Sequence, residues 1–324
     1  GERQGAAGLC AQIKFADAVE EVLKRKYTGK SKVPRVIKSW RRMDEDYIHK
    51  EEVPEFETVQ ECNSYIEGLK PKAFHDPYEH EWAVKLKENS QVVIEEFKRV
   101  AVEQEDSLYA KGNNVWVTAA NSTSAASYGP DWKTLALMDR CVWDDTNTQL
   151  FPATTKLLRD LEVPCIEAFF ARMMPKSKIN PHSDYCNFAL TSHLGVDIPE
   201  GECWISVGNQ KREWRNGEML MFDTSLMHEA ANDADRMRFI LMLRVWHPEL
   251  APSEVDAIKY IFQCLDDPET IERDIVQLAP ELLQPVAKPS PSLHFGAQEG
   301  GPSPAGGNRA ARRKQKVKSK AGGK

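Results

Sequence analysis

From Asn187 onward, Pro181-His182-Ser183-Asp184-Tyr185-Cys186-Asn187-Phe188-Ala189-Leu190-Thr191-Ser192-His193-Leu194-Gly195-Val196-Asp197 alternates. Phe188, Leu190, Leu194 and Val196 share one face, and Asn187, Ala189, Thr191 and His193 share the other, which is the period of a strand. At its head His182 and Asp184 stand two apart, so on a strand both side chains leave the same face. A second histidine, His228, follows after a gap long enough for several strands. Two imidazoles and one carboxylate are the donor set that holds Fe(II) on one side and leaves positions open for a cosubstrate and O2. Arg238 lies ten residues beyond His228. Its guanidinium is a permanent two-pronged donor suited to a carboxylate such as that of 2-oxoglutarate. A lone His-x-Asp pair is common by chance, and a strand-end arginine is ordinarily in solvent. The surrounding pattern therefore decides the matter.

That pattern is β. Ile166 to Met174 is a mostly apolar run of strand length, and Cys203–Val207, Met219–Phe222 and Arg238–Trp246 add three more. The intervening Pro199-Glu200-Gly201, Gly208-Asn209 and Asn216-Gly217 are turn chemistry. Short strands spaced by such turns argue for a sandwich or barrel, here a double-sheet jelly roll of cupin type. In the last strand Arg238, Ile240, Met242 and Arg244 point one way, and Phe239, Leu241, Leu243 and Val245 the other. The second set is expected under packing helices. The first set opens with a charge that, inside a barrel, requires an anionic partner.

Upstream the periodicity is mainly helical. Apolar stripes run through Phe15, Val19, Val22 and Leu23, through Val59, Cys62, Ile66 and Leu69, and through Trp82, Leu86, Val93, Phe97 and Val100. The last is the longest. Gly29-Lys30-Ser31 is no phosphate loop, because Lys24 stands where that motif needs a glycine. Val115 to Val117 suggests a strand, followed by a loop to Asp131-Trp132-Lys133. Asn121-Ser122-Thr123 matches a glycosylation sequon, relevant only in a secretory compartment. A short helix is expected over Ala153 to Leu161, another over Ser253 to Leu265, and a further helical stretch to about Leu283.

Composition limits the function classes. The 324 residues carry a net charge of -6, but Gly301 to Lys324 holds eight Lys/Arg and no acid, which leaves the other 300 at -14. An acidic body is a poor nucleic-acid surface, so none is expected there, while the basic tail is a candidate contact for anionic partners. Its Pro, Gly and Ser content reads as disordered. No apolar run reaches the length of a membrane span. Seven scattered cysteines with no Cys-x-x-Cys pair favour reduced thiols and an intracellular, soluble setting. The chain opens on Gly1, so an upstream targeting segment is not excluded.

An ordered set then carries a resemblance: Phe151-Pro152-Ala153-Thr154, Pro181-His182-Ser183-Asp184, His193-Leu194-Gly195, Ile198-Pro199, Trp214 with Gly217, Phe222-Asp223-Thr224-Ser225, His228-Glu229 and Pro248-Glu249-Leu250. Across roughly 82–250 the chain resembles the aspartyl/asparaginyl β-hydroxylase family of Fe(II)- and 2-oxoglutarate-dependent oxygenases. The resemblance implies a double-stranded β-helix, iron held by His182 and His228, and 2-oxoglutarate held by His193 and Arg238. It implies O2 as the second cosubstrate, ascorbate as reductant in vitro, and a peptide or small-molecule substrate hydroxylated at a C–H bond. In the best-known member a glycine stands at the position of Asp184, so this chain restores a full triad. That member also has arginines at the positions of Ala189 and Thr191 and a serine at Ala171. Arg172 is a candidate to compensate for the serine, depending on its direction.

The expectation is thus an α+β chain. Residues 1–110 form a mainly helical N-terminal region, 111–250 the jelly-roll core, 251–284 C-terminal helices and 285–324 a disordered basic tail. The expected activity is that of a dioxygenase. The rival from another class is a jelly-roll metal- or ligand-binding module without oxygenase activity.

Overall fold

The computed structural model describes residues 14–118 and 127–279. The sequon at 121–123, the ends of the chain and the basic tail lie outside those residues.

Two antiparallel sheets make the core. The larger contains β3 (Phe74–His75), β4 (Val117–Thr118), β5 (Trp132–Asp139), β6 (Val142–Trp143), β7 (Cys165–Met173), β9 (Ala189–Asp197), β12 (Met219–Phe222) and β14 (Arg238–Trp246). Its order is β3-β12-β9-β14-β7-β5-β4, with β6 on β5. The smaller runs β11-β10-β13-β8, from β8 (Ser177–His182), β10 (Cys203–Val207), β11 (Gln210–Glu213) and β13 (His228–Asn232). From β7 to β14 the chain alternates between the sheets, with the β10–β11 hairpin as one step, which is the expected double-stranded β-helix. A separate hairpin pairs β1 (His49–Val53) with β2 (Thr58–Cys62).

The parity of β14 sorts the core as expected. Ile240 and Met242 join Phe169, Ala171 and Met173 of β7 and Ile179, Ile205 and Ala230 of the small sheet in the inner layer. Phe239, Leu241, Leu243 and Val245 face outward onto α3 (Glu81–Glu88), α4 (Ser90–Phe97) and α7 (Pro152–Asp160). Phe170 is fully buried there, its ring 4.8 Å from Phe97 and 4.9 Å from Phe151. A third cluster gathers α1 (Phe15–Lys26), α2 (Pro34–Asp44), α8 (Pro252–Asp266) and α9 (Glu269–Leu278) around Phe188 and Trp246. Two short α-helices remain among the described residues, α5 (Glu105–Lys111) and α6 (Asn147–Leu150).

Three local readings are corrected. The stripe from Val59 to Leu69 is not a helix. Residues 58–62 are strand β2, whose buried positions Gln60 and Cys62 follow period two, and no helix lies between it and Leu69. The stripe from Trp82 to Val100 is not one helix either. It breaks at Asn89, whose side-chain amide donates to the Lys85 carbonyl at 2.8 Å and closes α3 before α4 begins. The chain then widens into a π turn over Lys98–Glu103. Lastly, Val115 and Trp116 precede β4 rather than form it, and Trp132 opens the eight-residue strand β5. A register shift between Ala136 and Met138 spoils the alternation that would have announced β5.

Candidate metal and anion site

His182 ends β8 and His228 begins β13, and the two are direct cross-strand partners. Their rings lie 4.2 Å apart, centroid to centroid. Each Nδ1 faces a backbone carbonyl two residues earlier, His182 that of Asn180 at 2.7 Å and His228 that of Leu226 at 2.9 Å. A carbonyl can only accept, so Nδ1 carries the proton in both rings and the Nε2 lone pairs face away, toward one another and Asp184. Burial, followed by the neighbouring His182, pushes the His228 pKa down to about 4, which keeps that ring neutral.

Asp184 does not sit on the strand with His182, as the spacing suggested. β8 stops at His182. Ser183 and Asp184 are instead pinned by hydrogen bonds. Asp184 N donates to the Thr224 carbonyl at 2.8 Å, and Ser183 Oγ donates to the Glu61 carbonyl at 2.7 Å. The turn still aims the carboxylate at the histidines. One ligand atom each from His182, Asp184 and His228 all lie within 4.8 Å of one another. Burial raises the Asp184 pKa, but the Arg244 charge, with a hydrogen bond from Tyr128, outweighs it and holds the carboxyl below its ordinary value. Tyr128 Oη donates to Asp184 Oδ1 at 2.7 Å, and Arg244 Nη1 lies 3.9 Å from Oδ2. Asp184 Oδ2 and His182 Nε2 are buried with no hydrogen-bond partner among the described residues. Buried acceptors that converge without a hydrogen-bond partner are what a divalent cation would satisfy. The three residues therefore fit a metal.

The anion side is built on the larger sheet. Arg238, at the start of β14, is 1 % exposed. One nitrogen rests on Met173 Sδ at 3.4 Å, its guanidinium carbon lies 4.3 Å from the Trp214 ring centre, and its Nε and Nη1 have no partner among the described residues. Nor does any carboxylate among those residues pair with it. Burial, offset in part by Cys203, brings its pKa down to about 10, so it stays charged at neutral pH. His193 of β9 is buried beside it, and its Nε2 likewise lacks a partner. Burial and then Arg238 hold its pKa well below the ordinary histidine value. A cavity of about 30 Å³ is shared by His182, Asp184, His193, His228 and Arg238, and Tyr128, Trp132, Ile179 and Phe222 help to wall it.

All five candidate residues thus reach one cavity. Arg172 does not compensate for Ala171. The register sets Ala171 opposite the inward Ile240 and Arg172 opposite the outward Phe239. Arg172 accordingly lies over the Trp116 ring and 3.8 Å from Glu105. Sequence reasoning missed Tyr128 and assigned no role to Arg244 or Trp214. Arg244 was legible in principle, because its parity already placed it inward.

A family model described as aspartyl/asparaginyl beta-hydroxylase matches residues 87–248. The mouse aspartyl/asparaginyl beta-hydroxylase is 29% identical over 215 residues, covering 61% of this chain and 26% of that protein. The human aspartate beta-hydroxylase domain-containing protein 2 is 28% identical over 201 residues, covering 59% of this chain and 51% of that one. This chain therefore spans only a quarter to a half of the length of these relatives. A solved 2OG-Fe(II) oxygenase family oxidoreductase from Burkholderia pseudomallei aligns at 16% identity with a TM-score of 0.31, covering 45% of this chain and 79% of that one. With its core matched from residue 87 to residue 248, the chain belongs to the aspartyl/asparaginyl beta-hydroxylase family.

Proposed function

We propose that the chain is an Fe(II)- and 2-oxoglutarate-dependent dioxygenase that hydroxylates an unactivated C–H bond of an amino-acid or peptidyl side chain. In this reading His182, Asp184 and His228 are the metal ligands, and His193 and Arg238 hold the cosubstrate. One observation carries it. A single cavity receives two opposite sets of buried polar atoms without partners: the acceptors His182 Nε2 and Asp184 Oδ2, and the donors of Arg238 and His193. The first set calls for a cation and the second for an anion.

Bound ferrous iron would supply O2 activation coupled to decarboxylation of 2-oxoglutarate to succinate and CO2. The chain's own groups do the rest. The Asn180 and Leu226 carbonyls fix the tautomers of the two histidines, so that each offers a lone pair. Tyr128 and Arg244 keep Asp184 ionised and oriented. Arg238 supplies fixed charge for a distal carboxylate, at no cost in reorganisation. The apolar walls from Trp132, Ile179 and Phe222 exclude water from the reacting centre. Asp184 is a ligand in this scheme and does not act as a general base. The names of the relatives support a side-chain substrate, peptidyl or free.

The test is succinate formation from 2-oxoglutarate with Fe(II) and ascorbate under air. The native chain should turn over slowly without substrate, and His228→Ala and Arg238→Ala should each lose that turnover. No succinate, together with no 2-oxoglutarate binding to the metal-loaded chain, would leave a binding module in place of an enzyme.

A further inference from the structure

We infer that Trp214 is the positioning residue that makes His193 and Arg238 a single anion-binding pair: its indole N–H decides which imidazole nitrogen donates, and its ring carries the guanidinium. The inference rests on reading those two residues as the anchors of 2-oxoglutarate, and it concerns what sits behind them.

Trp214 is 1 % exposed and lies in the connection between β11 and β12, on neither strand. Its Nε1–H donates to His193 Nδ1 at 3.1 Å. An indole nitrogen can only donate, whereas a neutral imidazole has one donor and one acceptor. Nδ1 must therefore be bare and the proton must sit on Nε2. Nε2 is the atom left without a partner at the cavity shared with Arg238. In the opposite tautomer two N–H groups would face each other, and the cavity would present a lone pair to an incoming anion. Burial and the Arg238 charge keep the ring neutral, so the choice of tautomer decides its role.

The same indole serves Arg238. The guanidinium carbon is 4.3 Å from its ring centre, and the His193 ring lies beyond the N–H edge, centroids 5.8 Å and planes 26° apart. A buried guanidinium with no carboxylate is offset in part by an aromatic face. Trp214 thus supports the charge without neutralising it, which an acidic neighbour would do.

The chain secures this placement next to His193. Gly195, two residues along β9, bridges to Asn216, accepts from Gly217 N at 2.9 Å and donates to the Glu218 carbonyl at 3.0 Å. A Cβ on Gly195 would lie 2.1 Å from the Arg215 carbonyl oxygen. Only glycine lets the segment that carries Trp214 come so close to the strand that carries His193.

The experiment is calorimetric titration of 2-oxoglutarate into the Mn(II)-loaded chain, in native form and as Trp214→Phe, His193→Ala, the double variant and Arg238→Ala. Phenylalanine keeps an aromatic face and removes the N–H. Trp214→Phe is expected to weaken binding about tenfold, the scale of one lost hydrogen bond to a charged group, with Mn(II) affinity unchanged. In the His193→Ala background the same substitution should cost almost nothing, because the two act as a unit. The 15N spectrum of the native chain should show His193 protonated at Nε2, and Trp214→Phe should mix the tautomers. Native affinity in Trp214→Phe, or an equal loss in both backgrounds, overturns the inference while leaving the cosubstrate reading intact. A native chain that binds no 2-oxoglutarate, indistinguishable from Arg238→Ala, overturns that reading and the inference with it. Should Trp214→Phe fail to fold, the native 15N spectrum decides: a proton on Nδ1 contradicts the inference.

Discussion

At the scale of single residues, the site depends on groups that speak to each other through hydrogen bonds the sequence does not show. His182, Asp184, His193, His228 and Arg238 were legible because their types and order match a known chemistry. Tyr128 was not, since nothing in Ser127-Tyr128-Gly129 marks a phenol that reaches across to Asp184. Removing that phenol tests its share. Tyr128→Phe should weaken Mn(II) binding about tenfold, the low end for losing a partner of a metal ligand, and Asp184→Ala should weaken it further. Manganese EPR titration reads both. Equal affinity in all three proteins would remove Asp184 from the ligand set. A second prediction concerns protons. Burial, with His247, Lys72 and His80 adding to it, lowers the His75 pKa from 6.5 to about 4. The folded state then resists protonation that the unfolded state accepts, so stability is complete above about pH 6.5 and falls as pH drops toward 4. His228 follows the same sign and window in the metal-free chain. Urea midpoints at a series of pH values should slope less in His75→Gln than in the native chain, and an unchanged slope would contradict the assignment.

At the scale of elements, alternation was the reliable signal. β9 and β14 each bury both faces, and the parity of β14 assigned its inner and outer layers correctly. Helical spacing was less reliable. Val59, Cys62, Ile66 and Leu69 satisfy a helical stripe, yet Thr58–Cys62 pairs as strand β2 with β1. A four-point stripe is satisfied by chance, and here the β-branched Thr58 and Val59 and the partner strand prevailed. β5 was missed because its register shift hides the period. The outer layer is a packing problem with a known scale. Phe170→Ala, which empties a fully buried position between Phe97 and Phe151, should cost about 3–5 kcal/mol in urea denaturation. Gly195→Ala should also destabilise the chain, because its new Cβ meets backbone rather than a movable side chain. A loss below about 1 kcal/mol at Phe170 would mean that α4 and α7 close over the gap.

At the scale of the whole molecule, the jelly roll brings residues from five places along the chain to one cavity. Tyr128 comes from ahead of β5, the proposed metal triad from the end of β8, the turn after it and the start of β13, and the proposed anion pair from β9 and β14. The triad and Arg238 were readable from residue type and order, but His193 joined them only through the family resemblance, because no local pattern states which strands face each other. Helices α1, α2, α8 and α9 pack together around Phe188 and Trp246, away from the cavity's lining. No helix among the described residues is long and apolar enough to cross a membrane. The charged segment from Gly301 to Lys324 is expected to be dispensable for chemistry. A chain ending before Gly301 should keep native cosubstrate turnover, and loss of turnover would show that the division of the chain is wrong.

The central claim is that a divalent metal and a dicarboxylate share this cavity. The most direct measurement is an anaerobic optical titration of the Fe(II)-loaded chain with 2-oxoglutarate. A 2-oxo acid chelating ferrous iron gives a visible charge-transfer absorption that neither gives alone. The account predicts a saturable band in the native chain, a shift to higher 2-oxoglutarate concentration in Arg238→Ala, and no band in His228→Ala. A native chain that binds iron yet shows no band at any concentration would contradict it.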